Sequence, residues 1–260
     1  MPQINANGAR LHYRLEGDPS LPPIVLVHPI GADHGLWDKV VPLLTPWACV
    51  LRYDLRGHGG SETTEGDYSL GLMSSDLLAL TEQLGMQHFC AVGISLGALT
   101  VLDAAARAPE RVRAVAVCSA APMIPPPPQG WDGRGRAVRE MGTAHLAQAM
   151  VERMFSTSFR ETRDPAIHTL QSTLARMDRQ GYASACAVLR DADLSALLPT
   201  IRQPAVVISG DEDPLTPPAA ARRLANLIPR ARHEVLPGGH FPPLEFPAEF
   251  ALLLSGALCA

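Results

Sequence analysis

The sequence predicts one α/β unit: a mostly parallel, eight-stranded sheet, helices on both of its faces, and a helical segment inserted late in the chain. Three observations predict it. Short runs rich in Val and Ile alternate with helix-like segments, the pattern of a parallel sheet covered on both sides. The interval 122–198 carries helical patterns and no strand-like run. Finally, Gly93-Ile94-Ser95-Leu96-Gly97 is a G-x-S-x-G sequence placed where an apolar run gives way to a helix, the sequence form of a nucleophile elbow.

The elements follow in order. Residues 3–16 read as a hairpin turning at Asn7-Gly8, a pair suited to the positive φ angles of a type I′ turn. The runs 24–28, 48–54, 89–95, 112–119, 204–211 and 232–236 each have the length of a buried strand. Between and after them, 68–84, 96–108, 219–227 and 247–254 read as helices. The inserted interval opens on Pro125 to Pro128, a stiff extended segment, and continues with helical patterns over 135–154, 165–180 and 182–189. This divides the chain into a core of 1–121 and 199–260 and a helical cap of 122–198. A cap above the carboxyl ends of the strands would supply most of a substrate pocket, because open α/β sheets bind ligands at that edge.

Composition removes several classes of function. The 260 residues are 47% hydrophobic, enough for a sizeable core, and carry a net charge of −4, which gives no electrostatic basis for binding nucleic acid. The uncharged stretch 114–131 is interrupted by Pro122 and the proline run, so no membrane span is expected. The N-terminus shows no charged segment followed by an apolar one, and no secretory signal is expected. The five cysteines (Cys49, Cys90, Cys118, Cys186 and Cys259) are odd in number and match neither a zinc site nor a CxxC motif. They read as thiols of a reducing compartment, and the expectation is a cytoplasmic protein. Leu and Phe residues of the cap offer a surface for a homo-oligomer.

The chemistry-bearing residues fall in the order Ser, acid, His. A serine hydroxyl is a poor nucleophile until an imidazole takes its proton and an acid orients that imidazole. Ser95 stands at the elbow, and Gly93 and Gly97 leave room for the turn. His240 follows Gly238-Gly239 in the loop after the last strand, and is the expected base. Asp211, Glu212 and Asp213 are adjacent candidates for the acid. Asp213, just past the strand and before Pro214, is favoured, and Asp211 reads as a turn or capping residue. An oxyanion hole needs two N–H donors. Leu96 supplies one at its helix start. In His28-Pro29-Ile30-Gly31, Pro29 has no N–H, which leaves Ile30 for the other.

The remaining histidines have plainer readings. His58 lies in a structural turn, and His34 is a candidate for the pocket wall. His12, His88, His145, His168 and His233 read as ordinary surface or helical residues. No histidine spacing matches a metal motif, so no metal is expected.

Several of these segments carry a resemblance. The run 51–59 (LRYDLRGHG), the elbow and Gly238-Gly239-His240 resemble the α/β-hydrolase superfamily, and imply its fold. Trp131 with Arg134, Gly181-Tyr182-Ala183, the run 188–193 and Asp213 to Pro218 are similar to 3-oxoadipate enol-lactonases, over about 11–254. The resemblance implies Ser95 as nucleophile, Asp213 as acid and His240 as base. It also implies cofactor-free hydrolysis of a small anionic enol-lactone to a 3-oxo diacid, with Trp131 packed on the substrate and Arg134 on its carboxylate. His28-Pro29-Ile30-Gly31, the four prolines before Trp131 and the surroundings of His240 depart from the enol-lactonase pattern. Related caps serve carboxylesterases, methylesterases, other lactonases and cofactor-free haloperoxidases, and fold does not choose among them. A lyase, or a ligand-binding protein on the same scaffold, would present the same residues.

Overall fold

The computed structural model describes residues 2–258. Eight strands form one sheet in the order β1-β2-β4-β3-β5-β6-β7-β8. They are β1 (Gln3–Ala6), β2 (Ala9–Glu16), β3 (Pro23–Val27), β4 (Cys49–Tyr53), β5 (Phe89–Ile94), β6 (Val112–Cys118), β7 (Ala205–Gly210) and β8 (Ala231–Leu236). β1 pairs antiparallel with β2 and β2 with β4; every other pairing is parallel. The β1–β2 turn is Asn7-Gly8, with φ of 48° and 75°, as the sequence predicts.

The central strands read as unbroken apolar runs because both faces of the sheet are buried. Along β3, Val25 and Val27 enter one core while Ile24 and Leu26 enter the other. β7 divides the same way, with Val207 on one side and Val206 and Ile208 on the other. α1 (Val41–Leu44) and α11 (Pro247–Leu258) cover the second face. α2 (Leu70–Gln83), α3 (Leu96–Arg107) and α9 (Pro218–Leu227) cover the first, and α10 (Pro242–Glu245) is a single turn after the His240 loop.

Five helices lie between β6 and β7: α4 (Gly130–Met141), α5 (Ala144–Met154), α6 (Thr157–Thr162), α7 (Pro165–Ala175) and α8 (Arg179–Asp191). The pattern predicted over 135–154 is two helices rather than one, broken at Gly142, where φ is +76°. α6, absent from the sequence reading, begins at Ser156, whose hydroxyl accepts the Phe159 N–H. α8 is drawn tightly onto the core. A Cβ on Gly181 would lie 2.1 Å from the Gly57 carbonyl oxygen, and Ser184 binds the strand-to-helix loop by two hydrogen bonds, Tyr68 N to its carbonyl and its Oγ to the Gly66 carbonyl. Among the described residues, no helix is long and apolar enough to cross a membrane.

Cys49, Cys90, Cys118 and Cys186 are buried; Cys259 lies outside the described residues.

Candidate active site

β5 ends at Ile94, and the chain turns into α3 through Ser95, whose φ of 54° and ψ of −116° are sterically costly for a residue with a side chain. Its flanking glycines are dictated by contact. A Cβ on Gly93 would lie 2.3 Å from the Gly97 carbonyl oxygen, and one on Gly97 would lie 2.2 Å from that of Val27. The Ser95 N–H is anchored by the Cys118 carbonyl at 3.0 Å. Leu96 opens α3, so its N–H is among the four at a helix start without an intrahelical acceptor. The Leu96 side chain itself is in the core.

His240 and Asp213 stand at the ends of neighbouring strands. His240 Nδ1 lies 2.8 Å from Asp213 Oδ2, and both residues are buried. The other Asp213 contacts are all donors: Thr216 Oγ1 at 2.6 Å, Thr216 N at 3.0 Å and Leu215 N at 2.9 Å. Burial alone would raise the Asp213 carboxyl. The His240 imidazole and the hydrogen bonds from His240 and Thr216 outweigh it and hold the group well below the usual carboxylate range. A carboxylate can only accept, so His240 presents Nδ1–H to it and leaves Nε2 as the acceptor. Asp211 does something else: its side chain accepts the Gly238 N–H at 2.9 Å, a turn contact.

Ser95 and His240 open on one cavity of about 760 Å3, its mouth included. Ile30, Trp131 and Arg134 line it too. Trp131 donates its indole N–H to the Ile124 carbonyl at 3.4 Å, and the Arg134 guanidinium lies 5.5 Å from its ring centroid. Arg134 Nε is buried with no hydrogen-bond partner. Tyr182, in the same wall, has its phenol pushed up to about 12 by burial, with Cys186 adding to the rise and Arg134 offsetting part of it. Arg153 is a lining residue that the sequence reading missed. No Asp or Glu is among the described residues lining the cavity, so its fixed charge is positive.

The histidines near β4 need correction. His12 is not a surface residue: it is buried in β2, with Nδ1 2.7 Å from Asp54 Oδ2. His34 does not line the cavity; its Nδ1 and its backbone N–H bind Asp54 Oδ1 at 2.8 and 2.7 Å. With Gly60 N on Oδ2, Asp54 accepts four hydrogen bonds. Burial would raise its carboxyl, but the hydrogen bond from His34 pulls it well below the usual range. One ligand atom each from His12, His34 and Asp54 falls within 4.8 Å of the others, a grouping made by the fold and not by any sequence spacing. Asp54 already directs both oxygens at protein donors there.

His28 holds the loop that carries Ile30. Its Nε2 accepts the Leu55 N–H at 2.9 Å and its Nδ1 donates to the Pro29 carbonyl at 2.8 Å. Burial, then the neighbouring His58, bring its pKa down to about 3, so the ring is neutral.

Comparisons with known proteins identify the family. The model of the family with the alpha/beta hydrolase fold matches residues 22–247. The chain belongs to that family. It is 32% identical to 3-oxoadipate enol-lactonase 2 of Acinetobacter baylyi, over 95% of this chain and 92% of the relative. The crystal structure of the enol-lactonase from Burkholderia xenovorans LB400 superposes with a TM-score of 0.96 at 34% identity, covering all of both chains. A pimeloyl-[acyl-carrier protein] methyl ester esterase of Nitrosomonas europaea is more distant, at 27% identity over 93% of this chain and 97% of that one. These α/β hydrolases are enol-lactonases and esterases, hydrolases of carboxylic ester bonds, and the chain is an enzyme of that class.

Proposed function

We propose that this α/β hydrolase opens a small lactone or ester that carries a carboxylate, with 3-oxoadipate enol-lactone as the leading candidate, through Ser95, His240 and Asp213. One observation carries the reading. Ser95 and a His240 already bonded to a buried Asp213 open on the cavity where Arg134 Nε is left without a partner. A buried N–H without an acceptor is costly until one meets it, and a carboxylate satisfies the guanidinium's fork of donors in a bidentate pair, beyond the hydrogen bond between Arg134 and Tyr182.

In this mechanism Ser95 Oγ attacks the carbonyl carbon as His240 Nε2 takes its proton. Asp213 keeps Nδ1–H in place and stabilises the imidazolium. The N–H groups of Leu96 and Ile30 receive the oxyanion, and losing one such donor costs roughly 2.7–4 kcal/mol in a serine hydrolase. The intermediate collapses by breaking the acyl–oxygen bond. His240 returns its proton to the departing enolate, which stays tethered in a lactone. Water, deprotonated by His240, then releases the acyl group as a new carboxylate and restores the Ser95 hydroxyl. Residues 122–198 act as the cap that supplies Trp131 and Arg134, and buried thiols such as Cys118 and Cys186 fit a cytoplasmic location.

The test is turnover of 3-oxoadipate enol-lactone beside p-nitrophenyl acetate and a neutral δ-lactone, with Ser95→Ala as control. Ser95-dependent turnover favouring the anionic lactone supports the reading. Turnover of the neutral ester alone would retain the serine mechanism and discard the anionic substrate, leaving a carboxylesterase.

A further inference from the structure

Glu245 is a buried carboxylate that the mechanism above does not use, and it touches two parts of the protein at once. Its Oε1 accepts the N–H of Gly239, the residue before His240, at 3.0 Å. Its two oxygens also face the Ser156 N–H at 3.4 and 3.3 Å, and Oε2 accepts the Ser156 hydroxyl. Ser156 lies between α5 and α6, in the helical segment that walls the pocket. All three partners are donors. Burial pushes the Glu245 carboxyl up and these hydrogen bonds offset part of the rise; an amide in its place would set an NH2 against a backbone N–H.

The contact between these two parts is close on every side. The His240 N–H donates to the Met154 carbonyl at 2.6 Å. A Cβ on Gly239 would lie 2.4 Å from that same oxygen. The Phe155 and Phe241 rings lie 5.2 Å apart, and His240 meets Phe241 edge-on at 5.4 Å. Glu212 Oε2, next to Asp213, accepts the Thr157 N–H at 3.3 Å. The backbone on either side of the imidazole is therefore held by residues 154–157 of the helical insertion.

We propose that Glu245 is a positioning residue: a latch that ties the Gly239–His240 backbone to Ser156, so that His240 is aimed at Ser95 only while the helical insertion is seated. The inference rests on the triad reading and extends it. It places the control of the base outside the three residues, in a contact that crosses from core to insertion. A displacement of about 1 Å in a reacting group can cost on the order of a hundredfold in rate, so a loosened latch acts on chemistry before it acts on binding.

The experiment measures the second-order rate of phosphonylation of Ser95 by a fluorophosphonate, with kcat and KM for p-nitrophenyl acetate, at a temperature well below each variant's melting midpoint. The variants are Glu245→Gln, Ser156→Ala and the double variant, with His240→Gln as control. Glu245→Gln is expected to slow phosphonylation and kcat by about tenfold to a hundredfold, with KM within about twofold of wild type. Ser156→Ala, which removes only a hydroxyl on the insertion, is expected to move both rates in the same direction. It keeps the test open should Glu245→Gln fold poorly. Because both variants break one contact, the double variant is expected to fall no further than the worse single one. Wild-type phosphonylation in folded Glu245→Gln, or losses that multiply in the double variant, would overturn the latch. If His240→Gln itself phosphonylates at the wild-type rate, the base assignment fails and the latch falls with it. Loss in His240→Gln with none in Glu245→Gln overturns the latch alone.

Discussion

Asp213 Oδ2 stands 2.8 Å from His240 Nδ1, and three further donors hold the carboxylate, the Thr216 hydroxyl on that same oxygen and the N–H groups of Leu215 and Thr216 on Oδ1. The bond decides which ring nitrogen carries the proton, and so which one faces the cavity. Asp213→Asn keeps the shape, removes the charge and places an NH2 where an acceptor stood. The expected result is a loss in kcat on the order of 10⁴-fold, the size found for the same exchange in a serine protease triad, with the melting temperature nearly unchanged. Steady-state kinetics with p-nitrophenyl acetate and a thermal melt check it.

Arg134, in a cavity lined by no Asp or Glu among the described residues, leads to a split in substrate preference. A hydrogen-bonded charge pair contributes about 1.5–3 kcal/mol, or roughly tenfold to a hundredfold in affinity. Arg134→Gln is expected to raise KM by that factor for an ester bearing a carboxylate and to leave a neutral ester of the same size unchanged. Parallel KM measurements on the two substrates decide it.

The two glycine positions of the elbow tolerate no side chain. Gly97→Ala would drive a methyl into the Val27 carbonyl, 2.2 Å away, and the first turn of α3 would have to shift. Overpacking of this kind costs about 1–3 kcal/mol and sometimes more. The expected outcome is a lowered unfolding midpoint in urea together with loss of Ser95 labelling.

His28 makes stability depend on pH. Its folded pKa, about 3, lies below its ordinary value of 6.5 because burial disfavours the charged ring. His58 is lowered in the same direction, again chiefly by burial. Between these limits the unfolded chain binds more protons than the folded one. The contribution of His28 is therefore complete above about pH 6.5 and lost as pH falls toward 3, by at most about 1.4 kcal/mol per pH unit. Urea unfolding at a series of pH values should show this slope. His28→Gln should weaken it and should also lower kcat, because the Ile30 loop loses its tie to Leu55.

The residues that could be read from sequence were those whose neighbours are local. The central strands showed themselves as apolar runs because burial on both faces removes the alternation that would otherwise mask them. Ser95 is legible because the turn needs a glycine on either side of it, Gly93 against the Gly97 carbonyl within the elbow and Gly97 against the Val27 carbonyl of the neighbouring strand. The break at Gly142 escaped a periodicity that continues on either side of it. His12, His34 and Asp54 are separated by 20 to 42 positions and meet only when β2 and β4 pair. Glu245 sits in a motif-free turn, and its partner Ser156 is 89 positions away. No local spacing encodes such a pair.

The most direct test of the central claim is to trap the covalent intermediate. Wild-type protein is mixed with p-nitrophenyl acetate, quenched in acid within the first turnovers, digested, and read by mass spectrometry. The expected result is an acetyl group on Ser95 in wild type, accumulating in His240→Gln only at a greatly reduced rate and absent at that position in Ser95→Ala. Hydrolysis that proceeds at the wild-type rate in Ser95→Ala, or an acetyl group carried on another residue while Ser95 stays unmodified, would contradict the account.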